Sequence, residues 1–296
     1  ASSAHAATMS VSGGTSIFFG GEDNSNSGNG WSMTDQVTFS ASGEMDNGFT
    51  ISTSLQLDGT GAAGNAAPYD DRSLTIDMGD SGVLVFSGHG SSGPVGAWDD
   101  LTPSANEESW GTSIGGTVDG PTNSAVGNNS FIYDYTVSDG IALKAAYIPS
   151  KGTPLKSSTE VGIQYTGMEG LTVSAAMGEN NDAAAQIDLT VFNIKYAMGP
   201  ITVGYQANES DRGTGTDEDF SAYGISYAVS DDLSISYGAS TLDYSSTLED
   251  QESSAVSVSF TMGGVAISAS HQSTDNVAGS STTDNTSYEV NFSFAF

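Results

Sequence analysis

Few residues in this chain are equipped to do chemistry. Its three histidines, His5, His89 and His271, stand far apart in sequence and lack the short spacing of a zinc site. Serine is abundant and histidine rare, so no Ser-His-Asp constellation stands out. No G-x-x-x-x-G-K stretch is present to cradle a phosphate. What remains are carboxylates in adjacent pairs: Asp70-Asp71, Asp99-Asp100, Glu107-Glu108 and Asp217-Glu218. Solvated loop charge is the plainest reading of such pairs. Clustered carboxylates and carbonyls also suit Ca2+, which makes Asp99 and Asp100 candidate calcium ligands. No other cofactor is implied, and no catalytic residue can be assigned.

Acidic residues number 36 against 6 basic ones, a net charge of -30. That balance argues against nucleic acid or an anionic surface as a partner, and for bound divalent cations or a salty setting. There is no cysteine, hence no disulfide. No run of eighteen or so apolar residues could form a membrane-spanning helix. Strands that cross a membrane in a barrel would escape that test, because their apolar residues alternate. At the amino end, Ala4-His5-Ala6 has the form of a signal-peptidase site. Residues 1–6 are therefore expected to be the remnant of an export signal or a flexible terminus.

The elements that must position the acidic pairs have a period of two. In the last ten residues, Tyr288, Val290, Phe292, Phe294 and Phe296 fall on one face, and Glu289, Asn291, Ser293 and Ala295 on the other. The same alternation starts at Met9 and recurs through Val37, Phe39 and Ala41, through Phe131, Tyr133 and Tyr135, and through Val256, Val258 and Phe260. Short turns such as Asp46-Asn47-Gly48, Ser138-Asp139-Gly140 and Gly263-Gly264 alternate with longer polar loops, including Ser210 to Glu218 and Gln272 to Asp284. Counting hairpins predicts about sixteen strands in one domain spanning 7–296, an all-β, antiparallel, up-and-down transmembrane barrel. Near Val191-Phe192-Asn193 the two faces swap, which predicts a bulge or a misread register there. The set opposite the apolar one is hydrophilic, and a barrel this wide leaves an aqueous channel.

One connection breaks the rhythm. About forty residues, 89–129, separate the fifth strand from the sixth, far beyond ordinary loop lengths, and such loops are usually functional. They carry Trp98, Trp110, Asp99, Asp100, Glu107 and Glu108.

The aromatic last strand resembles the terminal strand of Gram-negative outer-membrane barrels. The sixteen-strand count with a longest third loop, and the layout from Ser73 through Gly82 to Trp98-Asp99-Asp100-Leu101, resemble the general, non-specific porins, most of all the alphaproteobacterial ones. The resemblance implies a third loop folded into the lumen, a homotrimer in outer-membrane lipid, and passive diffusion of small hydrophilic solutes. It also implies that Phe292, Phe294 and Phe296 form the signal read by the barrel assembly machinery. The expected constriction comprises Asp99, Asp100, Glu107, Glu108, Asp134, Arg72, Lys144 and Lys195. General porins set an arginine and lysine cluster opposite the acidic loop, and only Arg72, Lys144 and Lys195 stand near the wall here. A cation preference follows. The rival readings are a substrate-selective channel, a barrel enzyme, and a surface β-protein such as an adhesin or surface layer.

Overall fold

The computed structural model describes residues 8–23, 30–58, 69–111, 118, 120–121, 124, 128–150, 152, 156–181 and 185–296. The expected export-signal remnant at 1–6 lies outside the described residues. Alternating apolar and polar residues favour strands, and Gly48 and Gly140 take the positive φ that closes a hairpin, at +83° and +79°.

The first group of strands is β1 (Thr8–Glu22), β2 (Trp31–Glu44), β3 (Thr50–Asp58), β4 (Arg72–Asp77) and β5 (Val83–His89). A short helix, α1 (Pro94–Trp98), follows within the long connection. Then come β6 (Ser130–Ser138), β7 (Ile141–Ile148), β8 (Ser158–Tyr165) and β9 (Leu171–Asn180). The long strands β10 (Ile187–Met198), β11 (Ile201–Arg212), β12 (Glu218–Ala228) and β13 (Leu233–Tyr244) lead to β14 (Gln251–Met262), β15 (Val265–Asp275) and β16 (Asn285–Ala295). Each pairs antiparallel with its sequence neighbours, and β1 pairs with β16 to close a sixteen-stranded barrel. Every strand-ladder group then has a partner and no edge is left, the one way a sheet can sit in lipid.

The two faces invert the rule of a water-soluble fold. Met177 is 62% exposed, Val256 57% and Tyr223 53%, all on the outer face. Gln206, Asn193, Glu160 and Ser270 face inward and are buried. An apolar band this broad fits hydrocarbon and not water.

Two expectations need correction. No bulge occurs at Val191-Phe192-Asn193: the ladder runs without a shift from Ala176 through Val191 to Asn208, and from Ser174 through Asn193 to Gln206. The faces swap in hydrophobicity alone. Leu189 and Val191 point inward and are capped by Val95 and Trp98 of α1, so the inner wall is locally apolar. The register shifts fall instead between Arg72 and Ser73 and between Thr136 and Ser138. The loops expected at Ser210–Glu218 and Gln272–Asp284 are also shorter, because β11 runs to Arg212 and β15 to Asp275. Beyond the apolar band the outer positions become acids: Asp188 opposite Asp211, Asp219 opposite Asp243, Glu252 opposite Asp275. Hydrogen bonding continues there after the apolar signal has stopped.

Candidate channel constriction

The long connection leaves β5 at Gly90 and lies along the polar inner face of the wall. Its first anchor is α1. The Glu160 carboxylate on β8 accepts from Val95 N–H at 3.1 Å, satisfying one of the free donors at the helix start. Trp98 and Val95 pack on Leu189, Val191 and Ala176. At the end of α1, Asn193 Nδ2 donates to the Trp98 carbonyl and Asn208 Nδ2 to the Asp99 carbonyl, both at 2.9 Å. Gln206 Nε2 donates to the same Asp99 carbonyl, and its Oε1 accepts from Leu101 N–H at 2.9 Å.

Pro103 then crosses β11 and β12 where the wall carries no side chain. A Cβ on Gly204 would lie 2.5 Å from Pro103 Cδ, and one on Gly224 2.6 Å from the Pro103 carbonyl. Ala105 N–H donates to Ser236 Oγ on β13 at 2.8 Å. Asn106 Nδ2 donates to Ser270 Oγ at 2.9 Å and to Glu289 at 2.7 Å, while Ser268 Oγ donates to Asn106 Oδ1 at 2.6 Å. Ser257 Oγ donates to the Glu107 carbonyl, Ser109 Oγ to Ser240 Oγ, and Trp110 meets Phe220 edge to face with ring centres 4.8 Å apart. These hydrogen bonds go to β8, β10, β11 and β13–β16, and none goes to β2–β4.

Four acids lie along this stretch of the loop. Asp99, Asp100, Glu107 and Glu108 form one electrostatic group, with Asp100 acting on the other three. Burial, then the Asp100 charge, pushes the Asp99 carboxyl up to about 7. Burial followed by Glu289 and Asp100 raises Glu107 to about 7, and burial followed by Asp100 does the same for Glu108. Burial also raises Asp100. No basic side chain is among the causes acting on any of them. On β2–β4 the middle inner positions are Thr38 and Gln56, Ser40, Ser54 and Ser73, then Ser42, Ser52 and Thr75, with Gln36 opposite Asp58 towards one end and Glu44, Thr50 and Asp77 towards the other; no basic residue is among them.

The remaining predicted site residues are dispersed. Asp134 and Lys144 face inward as an ion pair on β6 and β7, at 3.0 Å. They share a cavity of about 700 Å³ with Trp98 and Gln164 on the short-turn side of α1. Lys195 faces inward opposite Gly204 and, among the described residues, makes no ion pair. Arg72 is paired with Leu55 and so shares the outer face, its side chain lying over Gly88 at the bulge.

Sequence reasoning missed the gripping residues Glu160, Asn193, Gln206, Asn208 and Asn106. Asn106 lies on the loop and carries no signal of its own; the four on the wall are long polar side chains at inward positions where Ser, Gly and Ala are common. It also missed that His89 reaches the Asp70-Asp71 pair. His89 Nδ1 is 3.2 Å from Asp71 and 3.9 Å from Asp70, and the three donor atoms lie within 4.8 Å of one another at the rim.

An edgeless barrel, apolar outside and polar within, with a loop seated along its inner wall, defines a transmembrane channel of the outer membrane. The chain belongs to the Gram-negative porin family, whose model matches residues 1–251. No curated protein matches the sequence significantly. Among solved structures it is similar to OmpT of Vibrio cholerae in its trimer form, at 15% identity and a TM-score of 0.72, over 99% of this chain and 100% of that one. It is likewise similar to an anion-selective porin from Comamonas acidovorans, at 12% identity and a TM-score of 0.73, over 98% of this chain and 100% of the other. A mutant porin of Rh. blastica aligns at 15% identity with a TM-score of 0.70, over 98% and 100%.

Proposed function

We propose that this porin is a passive channel for small hydrophilic solutes that prefers cations, and that its loop sets the bore. One observation carries the charge preference. Asp100, Glu107 and Glu108 stand on the loop without a basic partner among the described residues, and the inner face of β2–β4 carries hydroxyls, amides and the acids Glu44, Asp58 and Asp77, with no basic residue. A negative field in a narrow, low-dielectric bore concentrates cations and repels anions. Lys144 is neutralised by Asp134, which leaves Lys195 as the main opposing charge on the described inner wall.

Transport here needs no chemical step. The outer apolar set supports contact with outer-membrane lipid. Assembly as a homotrimer is supported by the likeness to a trimeric barrel. The aromatic run ending at Phe296 supports recognition by the barrel assembly machinery.

The test is the reversal potential of the purified protein in a planar bilayer under a KCl gradient, with chelator present. A cation-selective potential that collapses in the triple variant Asp100→Asn, Glu107→Gln, Glu108→Gln is the expected result. An anion-selective potential in the unaltered protein overturns the reading.

A further inference from the structure

The grip on α1 leaves oxygen atoms over. Asn193 and Asn208 spend their NH2 groups on the Trp98 and Asp99 carbonyls. Neither amide can be turned round, because its oxygen would then face a carbonyl oxygen. Asn193 Oδ1 and Asn208 Oδ1 are thus fixed as acceptors, and both are buried without a hydrogen-bond partner. The same is true of Asp99 Oδ2 and of Ser210 Oγ. Asp99 is 4% exposed, Asn208 4%, Asn193 1% and Ser210 fully buried. All four belong to one patch. Asn193 stands opposite Gln206, Asn208 is two residues further along the same face, and Ser210 two further again. Gln206 and Asn208 both bind the carbonyl of Asp99 itself.

Buried acceptors without donors cost free energy, and a negative charge among them costs more. Lys195 lies on the same face two residues from Asn193, yet it forms no ion pair with Asp99. The donor set consists only of oxygen: one carboxylate, two amide carbonyls and a hydroxyl. Nothing in it suits a soft metal, whereas hard cations are bound by such sets.

We infer that Asp99, Asn193 and Asn208 hold a Ca2+ ion that pins the end of α1 to the inner wall, with Ser210 beside it. Ca2+ takes six to eight oxygens in flexible geometry, so water completes the shell. A single carboxylate among neutral oxygens gives a weak site, with a Kd on the order of 10⁻⁴ to 10⁻³ M. The site is independent of which solutes cross the channel.

Terbium binding tests it on the detergent-purified, chelator-washed protein. Trp98 is the neighbour of Asp99 and serves as the antenna, so excitation of tryptophan reports Tb3+ at this position. Saturable emission that Ca2+ competes away is expected, with Mg2+ at the same concentration a poorer competitor. Trp98→Phe removes the emission but leaves calorimetric Ca2+ binding. Asp99→Asn weakens Tb3+ at least tenfold. Ser210→Asp adds a second charged oxygen beside the site while keeping both amide donors, and tightens it several-fold, an effect that misfolding cannot mimic. If Asp99→Asn does not fold, the Ser210→Asp result decides alone. Emission that Ca2+ does not displace, or that neither variant changes, overturns the site and assigns these oxygens to water.

Discussion

Gly13 and Phe296 exchange two main-chain hydrogen bonds, Gly13 N–H to the Phe296 carbonyl and Phe296 N–H to the Gly13 carbonyl, each 2.9 Å long. They extend the β1–β16 ladder, in which Gly14 faces Ala295 and Thr15 faces Phe294. The Phe296 ring lies where a side chain on residue 13 would go: a Cβ there would be 2.7 Å from the ring and 2.8 Å from the Gln36 carbonyl. The seam of the barrel is thus fitted around one missing side chain.

Gly13→Val is expected to lower stability by about 1–3 kcal/mol, the usual range for overpacking. Urea titration of the refolded barrel, read by the gel mobility of unheated samples, measures it. Deleting Phe296 removes both bonds together with the ring, and should cut outer-membrane levels more than it lowers the urea midpoint of the barrels that do form. Normal levels of the deletion would show that assembly does not read this residue.

Asn106→Ala should loosen the loop. It removes the donor to Glu289 and both bonds to the β15 serines, leaving a buried carboxylate short of a partner at a cost of about 1–3 kcal/mol. Single-channel records should show larger conductance and more open-state noise. Unaltered records would mean that Ser257 and Ser109 hold this stretch unaided.

The selectivity should depend on pH. A free glutamate titrates near 4.5, and burial holds Glu107 and Glu108 protonated up to about 7. Folding therefore takes up protons between these values. The stability gained is complete below about 4.5 and is lost as pH rises through 7. The loop should resist protease better at pH 5 than at pH 8. Cation selectivity should run the other way, strong at pH 8 and weak at pH 5, because the protonated acids carry no field. A pH-independent reversal potential would place these acids outside the conducting path.

The two inner-wall lysines should not be equivalent. Lys195 makes no ion pair among the described residues, whereas Lys144 donates to Asp134 at 3.0 Å. Lys195→Met should sharpen cation selectivity markedly. Lys144→Met frees Asp134 at a site already balanced and lying on the short-turn side of α1, so a smaller change is expected there. Equal shifts in reversal potential would rule out that distinction.

The barrel was legible in the sequence because each strand states its own face. Tyr288 to Phe296 and Phe131 to Val137 alternate whatever the rest of the chain does, and Asn47-Gly48 closes a hairpin locally. The long loop was legible as a gap in that rhythm. Its seating was not, because it depends on residues far apart in the chain: Asn106 is 183 positions from Glu289. An inward asparagine that grips a loop carbonyl, such as Asn208, is written the same way as one that meets water. Leu189 and Val191 looked like a register error for the same reason, since the apolar cap from Val95 and Trp98 is a tertiary fact. Arg72 keeps the outward alternation of Leu74 and Ile76 in an unshifted ladder with β3, and the extra residue opposite it on β5 brings His89 to Asp71.

The anchors of the loop are distributed over β8 to β16, the last half of the barrel to be synthesised. Glu289 and Ser270 do not face Asn106 until β15 and β16 have joined β1. Loop closure of that length is the slow step in forming a contact. The Asn106 end of the loop is therefore expected to dock last, after the wall is sealed, whereas α1 can meet β8, β10 and β11 earlier. In the interval the newly closed barrel is an open hole, wider than the finished one. Conductance recorded during insertion should fall in a single step as each molecule matures.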